Sequence, residues 1–270
     1  MKSRSGIESK GDFMTLNLPG RYYRPIPLDA AGYESERLEL DPTKTALIAM
    51  HCWNIGCQDG PPIDRNYFVG MGSLESAREA GRIMRECIRP AMDAARQAGV
   101  LVCHVESELI ARRHPEAQMD VEALRSETEG PPVVPGWRKK MEDRFHGQDY
   151  PTRSPLANMD RAKVTFPLPG EPFVYQTGQL DRALRRRGIE NLIYAGFATD
   201  MCVLRAPGGI EPMASREYRL FLMRDATVGV ECPDTFAERI ATRWAIRYFE
   251  THFGDTIACD DFMAACRSCR

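Results

Sequence analysis

The chain has 270 residues, of which 43% are hydrophobic and 27% are charged, the balance of an ordinary globular protein. Its formal net charge is −2 and its sequence pI is about 6.3, so it lacks the strongly basic character of proteins that bind nucleic acid or anionic membranes. We therefore expect neither nucleic acid nor a membrane as its partner.

The cellular location is predicted from the hydropathy pattern and the cysteines. No stretch approaches the roughly 18 consecutive apolar residues of a membrane span, and the first 13 residues lack the pattern of a signal sequence. Nine cysteines in 270 residues are too dilute for a disulfide scaffold. These features predict a cytoplasmic protein with reduced thiols.

The N-terminal third predicts an arm followed by a βαβ unit. Residues 1–43 lack strong periodicity and predict an extended arm that wraps a neighbouring subunit, so we expect a homo-oligomer. The apolar run at 45–50 predicts a central parallel strand that ends at His51. Apolar residues at spacings of three and four predict a helix over 73–98, and a second strand at 100–105 completes the unit.

The remaining chain predicts a long insertion and further alternating elements. Residues 107–161 are polar, charged and proline-rich, with too few apolar residues for a core of their own, and predict an insertion that acts as a lid. Strands are predicted at 173–175, 192–195, 218–224 and 254–257, helices at 180–187 and 235–253, and a loose tail at 266–270. The alternation predicts an α/β fold: one doubly wound, mostly parallel sheet in a single domain over 44–265.

A thiol is predicted at the end of a buried strand. The stretch NLIYAGFATDMCV at 191–203 begins as an apolar strand, turns after Gly196 and reaches Cys202. Ligands of open parallel sheets bind outside the carboxyl ends of the strands. A cysteine at that edge is therefore well placed for covalent chemistry.

Four stretches of the sequence together match a known pattern: GFATDMCV at 196–203, TALIAM at 45–50 followed by Asn54, LMRDA at 222–226 and HFGD at 252–255. They resemble the isochorismatase-like cysteine hydrolase superfamily, which includes nicotinamidases, N-carbamoylsarcosine amidases and ureidoacrylate amidohydrolases. The resemblance implies a three-layer α/β/α fold. It also implies hydrolysis of C–N bonds in small amides by a Cys nucleophile, an Asp base and a Lys.

Carried onto this sequence, the resemblance makes Cys202 the nucleophile. It further implies a cis peptide bond at Phe197-Ala198 and an oxyanion hole formed by the backbone N–H groups of Ala198 and Cys202. A cis bond that does not precede proline costs about 3–4 kcal/mol and is kept where it aims donors at developing charge.

Two of the three catalytic residues of the family do not carry over. His51 stands where the family's Asp closes the first strand. The family's Lys is expected near Pro169, but no lysine lies between Lys163 and Leu180. Lys163 is the sole candidate substitute and would need a different backbone path.

Three interpretations follow. In the first, His51 replaces the Asp as base and pairs with Cys202, because an imidazole with a pKa near 6.5 accepts a thiol proton at neutral pH. Glu106 or Glu171 then orients the imidazole or activates water. In the second, the protein binds a small ligand without hydrolysing it; in the third, Cys202 is a packed thiol. We predict Cys202, His51 and Glu106 as the catalytic set, with a hydrogen-bonded, chemically inert His51 as the alternative.

We predict neither a metal nor another cofactor. Nicotinamidases carry a metal on an Asp-x-His pair and a second His, and no such pair follows the first strand here. His51, His104 and Glu106 offer an alternative two-His, one-carboxylate set. Cys266 and Cys269 have the spacing of half a zinc site, but no second pair follows them.

The substrate pocket is predicted to have aromatic walls. Trp53, Tyr175 and Phe197 suit a small planar substrate, although core packing is an equal alternative for each. Thr199 is predicted as a further substrate contact. The insertion would set specificity through arginines that receive a carboxylate: Arg112, Arg113 and Arg138.

Overall fold

The computed structural model describes residues 14–67, 72–122 and 133–269. Its strands are β1 (Leu16–Arg24), β2 (Gly32–Leu40), β3 (Thr45–Met50), β4 (Leu101–Val105), β5 (Phe173–Val174), β6 (Asn191–Phe197), β7 (Arg219–Val228) and β8 (Gly254–Ile257). Its α-helices are α1 (Leu74–Ile83), α2 (Arg89–Gln97), α3 (Glu108–Ala111), α4 (Trp137–His146), α5 (Tyr150–Arg153), α6 (Thr177–Arg185), α7 (Ile210–Ala214), α8 (Ile240–His252) and α9 (Cys259–Ser268).

The strands form one sheet in the order β2-β1-β8-β7-β6-β3-β4-β5. The strands from β8 to β5 in this order are mutually parallel, whereas β1 pairs antiparallel with both β2 and β8. The predicted doubly wound, mostly parallel sheet is confirmed. The order reverses between β3 and β6, and this switch point is where ligands of such sheets bind.

The sheet is covered by helices on both faces, so its central strands are apolar throughout. In β3, Leu47 and Ala49 face one core, which α1, α2 and α9 complete. Ala46, Ile48 and Met50 face the other core, which α6, α7 and α8 complete. Because successive strand residues point to opposite faces, only a continuous apolar run satisfies both cores. The result is a three-layer α/β/α fold.

The two strands at the switch point approach each other closely at their carboxyl ends. Gly196 of β6 lies opposite Met50 of β3 and has a φ of 120°. A Cβ at Gly196 would lie 2.0 Å from the Met50 carbonyl oxygen, so no larger residue fits. This contact fixes the separation of the segments that follow the two strands, which begin at His51 and Phe197.

The prediction of an N-terminal arm over 1–43 is wrong for its described part. Residues 16–40 form a β-hairpin, in which Leu16 lies opposite Leu40 and Leu18 opposite Leu38. All four leucines are buried against the α1/α2/α9 core. The period-two pattern is short and is interrupted by Pro19-Gly20, which is why the sequence read as irregular. The first 13 residues of the predicted arm lie outside the described residues.

The prediction of a loose tail at 266–270 is also wrong for its described residues. Helix α9 runs to Ser268, and both Cys266 and Cys269 are buried against the same core. The Asp225 carboxylate at the start of the helix accepts hydrogen bonds from the Cys259 backbone N–H, the shorter at 2.9 Å. The C-terminal thiols are therefore core residues.

Two predicted helices have altered boundaries. The helix predicted over 73–98 consists of α1 and α2, which a π-helical turn at Met84–Ile88 joins. The helix predicted from 235 begins at Ile240, because the buried Glu231 carboxylate accepts hydrogen bonds from the backbone N–H and the hydroxyl of Thr242, each at 2.8 Å. None of the helices in the described ranges combines the length and the apolar composition needed to span a bilayer.

The integration of α9 gives a stability prediction. Phe262 is fully buried in the α1/α2/α9 core, so Phe262→Ala should lower the free energy of unfolding by about 3–5 kcal/mol. Arg267→Ala, on the exposed side of the same helix, should change it by less than about 0.5 kcal/mol. Urea unfolding followed by circular dichroism measures both. Equal stability of the two variants would mean that the helix does not dock.

Candidate active site

His51 follows β3 in a left-handed backbone conformation, with a φ of 44°. Its backbone N–H donates to the Val105 carbonyl oxygen at 2.9 Å, and its ring stacks on Trp53 at a centroid separation of 5.2 Å. Burial, reinforced by the positive charge of Arg161, lowers the pKa of His51 from 6.5 to about 3. Its Nδ1 is buried without a hydrogen-bond partner among the described residues. The imidazole is therefore neutral at neutral pH.

Glu106 follows β4, the strand beside β3, and its carboxylate is fully buried. One oxygen accepts hydrogen bonds from the Trp53 indole N–H at 2.5 Å and from the Ser107 backbone N–H at 2.8 Å. The other oxygen accepts from Arg161 Nη1 at 3.4 Å. Burial raises the pKa of Glu106 above its usual 4.5, and Arg161 opposes that rise.

Arg161 comes from the end of the insertion, and sequence reasoning missed it. Its side chain is fully buried; Nε donates to the Thr165 carbonyl at 3.0 Å and Nη2 to the Ala49 carbonyl at 3.1 Å. It is therefore bound to β3 as well as to Glu106. The one available signal was its position, at the point where the polar insertion ends and the chain returns to the apolar domain. Because arginine is rarely fully buried, this position alone was too weak a signal to select Arg161.

The segment after β3 holds the end of the insertion in place. The backbone N–H of Asn54 donates to the Asp160 carbonyl, and the Asn54 side-chain oxygen accepts from the Asp160 backbone N–H, both at 2.9 Å. The Ala162 N–H donates to the Cys52 carbonyl at 2.8 Å. Asn54, one of the residues that carried the family resemblance, thus positions Arg161 beside Glu106.

Cys202 lies in the π-helical turn Thr199–Val203 that follows β6. The peptide bond Phe197-Ala198 is cis, at the position that the resemblance implied. Burial raises the pKa of the Cys202 thiol; the Ala198 backbone N–H, which donates to its sulfur, opposes this rise, and the negative charges of Glu106 and Asp200 add to it. The resting group is therefore a thiol that needs a base to release its proton.

The structure brings Cys202 into electrostatic contact with Glu106, but no hydrogen bond joins Cys202 to His51 in the part of the chain that the structure describes. The pairing expected between His51 and Cys202 is thus not formed. His51 instead stacks on Trp53, which donates to Glu106, and it lies near enough to Arg161 for that charge to lower its pKa. Lys163, the possible substitute for the family's lysine, is exposed, and its backbone N–H donates to Asp59.

The predicted substrate contacts occupy different positions. Trp53 is partly exposed beside Glu106. Tyr175 is buried in a small cluster with Phe173 under the insertion. The Thr199 hydroxyl lies 2.6 Å from the Thr227 hydroxyl in a fully buried pair between the ends of β6 and β7. Only Trp53 among these three therefore has an exposed surface beside the carboxylate.

The histidine and carboxylates considered for a metal make other contacts. His104 Nε2 lies 2.8 Å from the Glu171 carboxylate, which Arg96 also binds. Burial lowers the pKa of His104 to about 4; burial of Glu171 is outweighed by hydrogen bonds from His104 and Arg96, which hold its pKa at about 2. Within 14–67, 72–122 and 133–269, no group of three His, Cys, Asp or Glu side chains is arranged to hold a metal ion.

A cavity of about 640 Å³ lies between the described part of the insertion and the segments after β3 and β7. Aromatic side chains line it, among them Tyr67, Phe145 and Tyr150. Tyr150 also packs in the apolar cluster that contains Trp53, and the backbone N–H of Val230 in the cavity wall donates to Asp200. One wall residue of the cavity therefore packs in the cluster of Trp53, and another is bonded to Asp200 in the Cys202 turn. Two insertion arginines of the predicted carboxylate site make other contacts, Arg112 with Glu108 and Arg113 with the Met159 carbonyl.

The depressed histidine pKa values predict a loss of stability in acid. Unfolded histidines titrate near pH 6.5, so below that pH the unfolded state binds more protons and the free energy of unfolding falls, by up to about 1.4 kcal/mol per pH unit for each of His51 and His104. His51→Asn should reduce this slope between about pH 6.5 and 4, because asparagine tolerates the positive φ without titrating. Urea unfolding over this pH range measures the slope. The exposed His252→Asn is the control, and an unchanged slope in His51→Asn would contradict the burial of a neutral imidazole.

Comparisons with known proteins agree with this geometry. No protein-family model matches the sequence. The ureidoacrylate amidohydrolase RutB of Agrobacterium fabrum is 26% identical over 208 residues, which cover 71% of this chain and 79% of that protein. RutB of Rhizobium rhizogenes is 26% identical over 245 residues, which cover 85% and 86%.

A solved structure shares the fold. The cysteine hydrolase from Pseudomonas syringae pv. phaseolicola matches with a TM-score of 0.54 and 17% identity, over 86% of this chain and 96% of that one. The stretches around Cys202 and Asn54, the switch point between β3 and β6 and these relatives agree with one another. This chain therefore has the fold of that cysteine hydrolase, and its sequence resembles the isochorismatase-like cysteine hydrolase superfamily.

Proposed function

We propose that the chain hydrolyses a C–N bond of a small amide, ureide or carbamoyl compound, with Cys202 as nucleophile and Glu106 as the acid–base group. The observation that carries this proposal is the fully buried Glu106 carboxylate. It accepts hydrogen bonds from Trp53 and Arg161, and its negative charge raises the pKa of the Cys202 thiol. The curated relatives are ureidoacrylate amidohydrolases by name, which favours a ureide among the candidate substrates.

Glu106 is favoured over His51 as the base for electrostatic reasons. An imidazole with a pKa of about 3 has little affinity for a proton at neutral pH, and the charge of Arg161 further disfavours imidazolium. A carboxyl group whose pKa burial has raised is a stronger proton acceptor than an ordinary one. His51 then serves as a neutral partner that stacks on Trp53.

The proposed reaction has two halves. Glu106 takes the Cys202 proton as the sulfur attacks the substrate carbonyl carbon, and the backbone N–H groups of Ala198 and Cys202 bind the resulting oxyanion. Glu106 returns the proton to the leaving nitrogen, the C–N bond breaks, and a thioester or thiocarbamate remains on Cys202. Glu106 then takes a proton from water as the water oxygen attacks that carbonyl, and it returns this proton to the sulfur as the C–S bond breaks, which releases the acid product and restores the free thiol.

Ligand binding without hydrolysis is the second candidate function. It is favoured by the raised pKa of the Cys202 thiol, which leaves little thiolate at neutral pH. A pure binding protein would keep ligand-dependent thermal stabilisation in Cys202→Ala and release no product.

The nucleophile is tested by replacing its sulfur. Cys202→Ser should reduce turnover by at least about 100-fold, because a serine hydroxyl is far harder to deprotonate than a thiol. Ammonia release from a panel of small amides and ureides that includes ureidoacrylate measures the effect. Cys87→Ser removes a partly exposed thiol that does not line the cavity and should retain the wild-type rate. Undiminished turnover in Cys202→Ser would refute the covalent route.

The base is tested by comparing two variants. Glu106→Gln should reduce kcat/KM by about 100- to 10,000-fold, whereas His51→Asn should reduce it less than about tenfold. In the wild type, kcat/KM should fall as the pH drops through the Glu106 pKa, at a pH above the 4.5 of an ordinary glutamate.

A folding control accompanies the base test, because Glu106→Gln leaves Arg161 buried without a full counter-charge. Its circular dichroism spectrum and thermal midpoint must therefore be measured beside the rate. A folded Glu106→Gln variant with normal turnover, or a His51→Asn variant as inactive as Cys202→Ser, would reverse the assignment.

A further inference from the structure

The turn of the β1–β2 hairpin carries apolar side chains in solvent. In this hairpin tip, residues 25–31, Ile26 is 71% exposed and Leu28 is 86% exposed. The adjacent Asp29 is exposed and makes no ion pair with any residue in the described ranges. Neighbouring exposed aliphatic side chains beside an uncompensated carboxylate are typical of a surface that docks on another molecule.

A groove lies between the same hairpin and helix α8, with a volume of about 370 Å³. We call it the α8 groove; among the residues that line it are Arg21, Tyr33, Ile240, Arg243, Trp244 and Arg247. Tyr33, Ile240 and Trp244 are each 51–54% exposed. The groove therefore combines an apolar floor with guanidinium groups.

The guanidinium groups of the groove are only partly neutralised. Arg21 is paired with the buried Glu250 at 2.7 Å, whereas the nearest carboxylate to Arg243 is that of Glu238 at 4.0 Å. The Arg247 guanidinium contacts the rings of Tyr23 and Tyr33, 3.7 and 4.6 Å from their centroids. Its Nε is buried with no hydrogen-bond partner among the described residues. The α8 groove thus has surplus positive charge.

The hairpin tip and the α8 groove are complementary in both character and charge. The tip offers two aliphatic side chains and a carboxylate; the groove offers Trp244, Ile240 and two arginines. The tip cannot fold back into its own groove, because β1 and β2 are paired without interruption from Leu16 opposite Leu40 to Arg24 opposite Gly32. Residues 1–13 fit the groove poorly, since they carry three basic and two acidic side chains.

We propose that the hairpin tip of one copy docks in the α8 groove of a second copy, and reciprocally, to form a two-fold symmetric dimer. In a closed isologous dimer both copies contribute the same surface, so that surface must carry both the tip and the groove. Asp29 of each copy then faces Arg243 and Arg247 of the other, and Leu28 packs on Trp244.

Sedimentation equilibrium of the full chain tests the dimer independently of any catalytic activity. The wild type should sediment as a dimer, and Leu28→Asp should raise the dimer dissociation constant at least about tenfold. Leu109→Asp changes a similarly apolar, exposed residue outside the proposed interface and should leave the dimer intact. Asp29→Arg and Arg243→Asp should each weaken the dimer, and the Asp29→Arg/Arg243→Asp combination should recover it.

Three outcomes would overturn the proposal. They are a monomeric wild type, a Leu28→Asp variant with wild-type association, and a combined charge reversal that associates no better than the single variants. Removal of residues 1–13 should leave the dimer unchanged; its loss in that variant, with Leu28→Asp still dimeric, would assign the groove to the N-terminal segment.

Discussion

The buried ion pair between Arg161 and Glu106 is the interaction on which the candidate site depends. Moving a guanidinium and a carboxylate out of water costs several kcal/mol for each group, and their attraction offsets this only when the remaining polar atoms are satisfied. Here each nitrogen of the guanidinium has an acceptor, in Glu106 and in the carbonyls of Thr165 and Ala49. The second oxygen of Glu106 has donors in Trp53 and Ser107. The pair therefore holds the end of the insertion against the carboxyl ends of β3 and β4.

The same pair sets the protonation of the groups around it. Arg161 lowers the pKa values of His51 and His104, in each case adding to the effect of burial, and limits the rise in the pKa of Glu106. Glu106 in turn raises the pKa of the Cys202 thiol. Burial and this one cation together keep the neighbouring imidazoles neutral, and Glu106 is left as the carboxyl group that affects the titration of the sulfur. The protonation of the groups at the carboxyl ends of these strands consequently depends on the position of Arg161, at the end of the insertion.

The sequence was most informative where one local pattern determined one element. The apolar runs at 45–50 and 192–195 predicted buried parallel strands, and both faces of the sheet are indeed covered by helices. The hairpin at 16–40 was missed because its buried leucines alternate over only a few residues, and their partners lie 20 and 24 positions away. Helix α9 was missed because a short helix at a terminus has too few turns for a clear period. Arg161 was missed for a related reason: its burial depends on contacts with Ala49 and Glu106, which lie 112 and 55 positions away.

The candidate site also illustrates how a charge arrangement can persist while its residues change position. The family resemblance implies a thiol, a carboxylate and a cation, yet His51 stands at the expected position of the carboxylate and no lysine stands at that of the cation. In the proposed mechanism the carboxylate comes from the end of the adjacent strand as Glu106, and the cation comes from the insertion as Arg161. A charged imidazole at position 51 would add a second cation beside Arg161 and draw the carboxylate away from the thiol. The low pKa of His51 is therefore a condition for the proposed chemistry. While the imidazole is neutral, Arg161 is the cation beside Glu106, and the proton that Glu106 accepts is that of the Cys202 thiol.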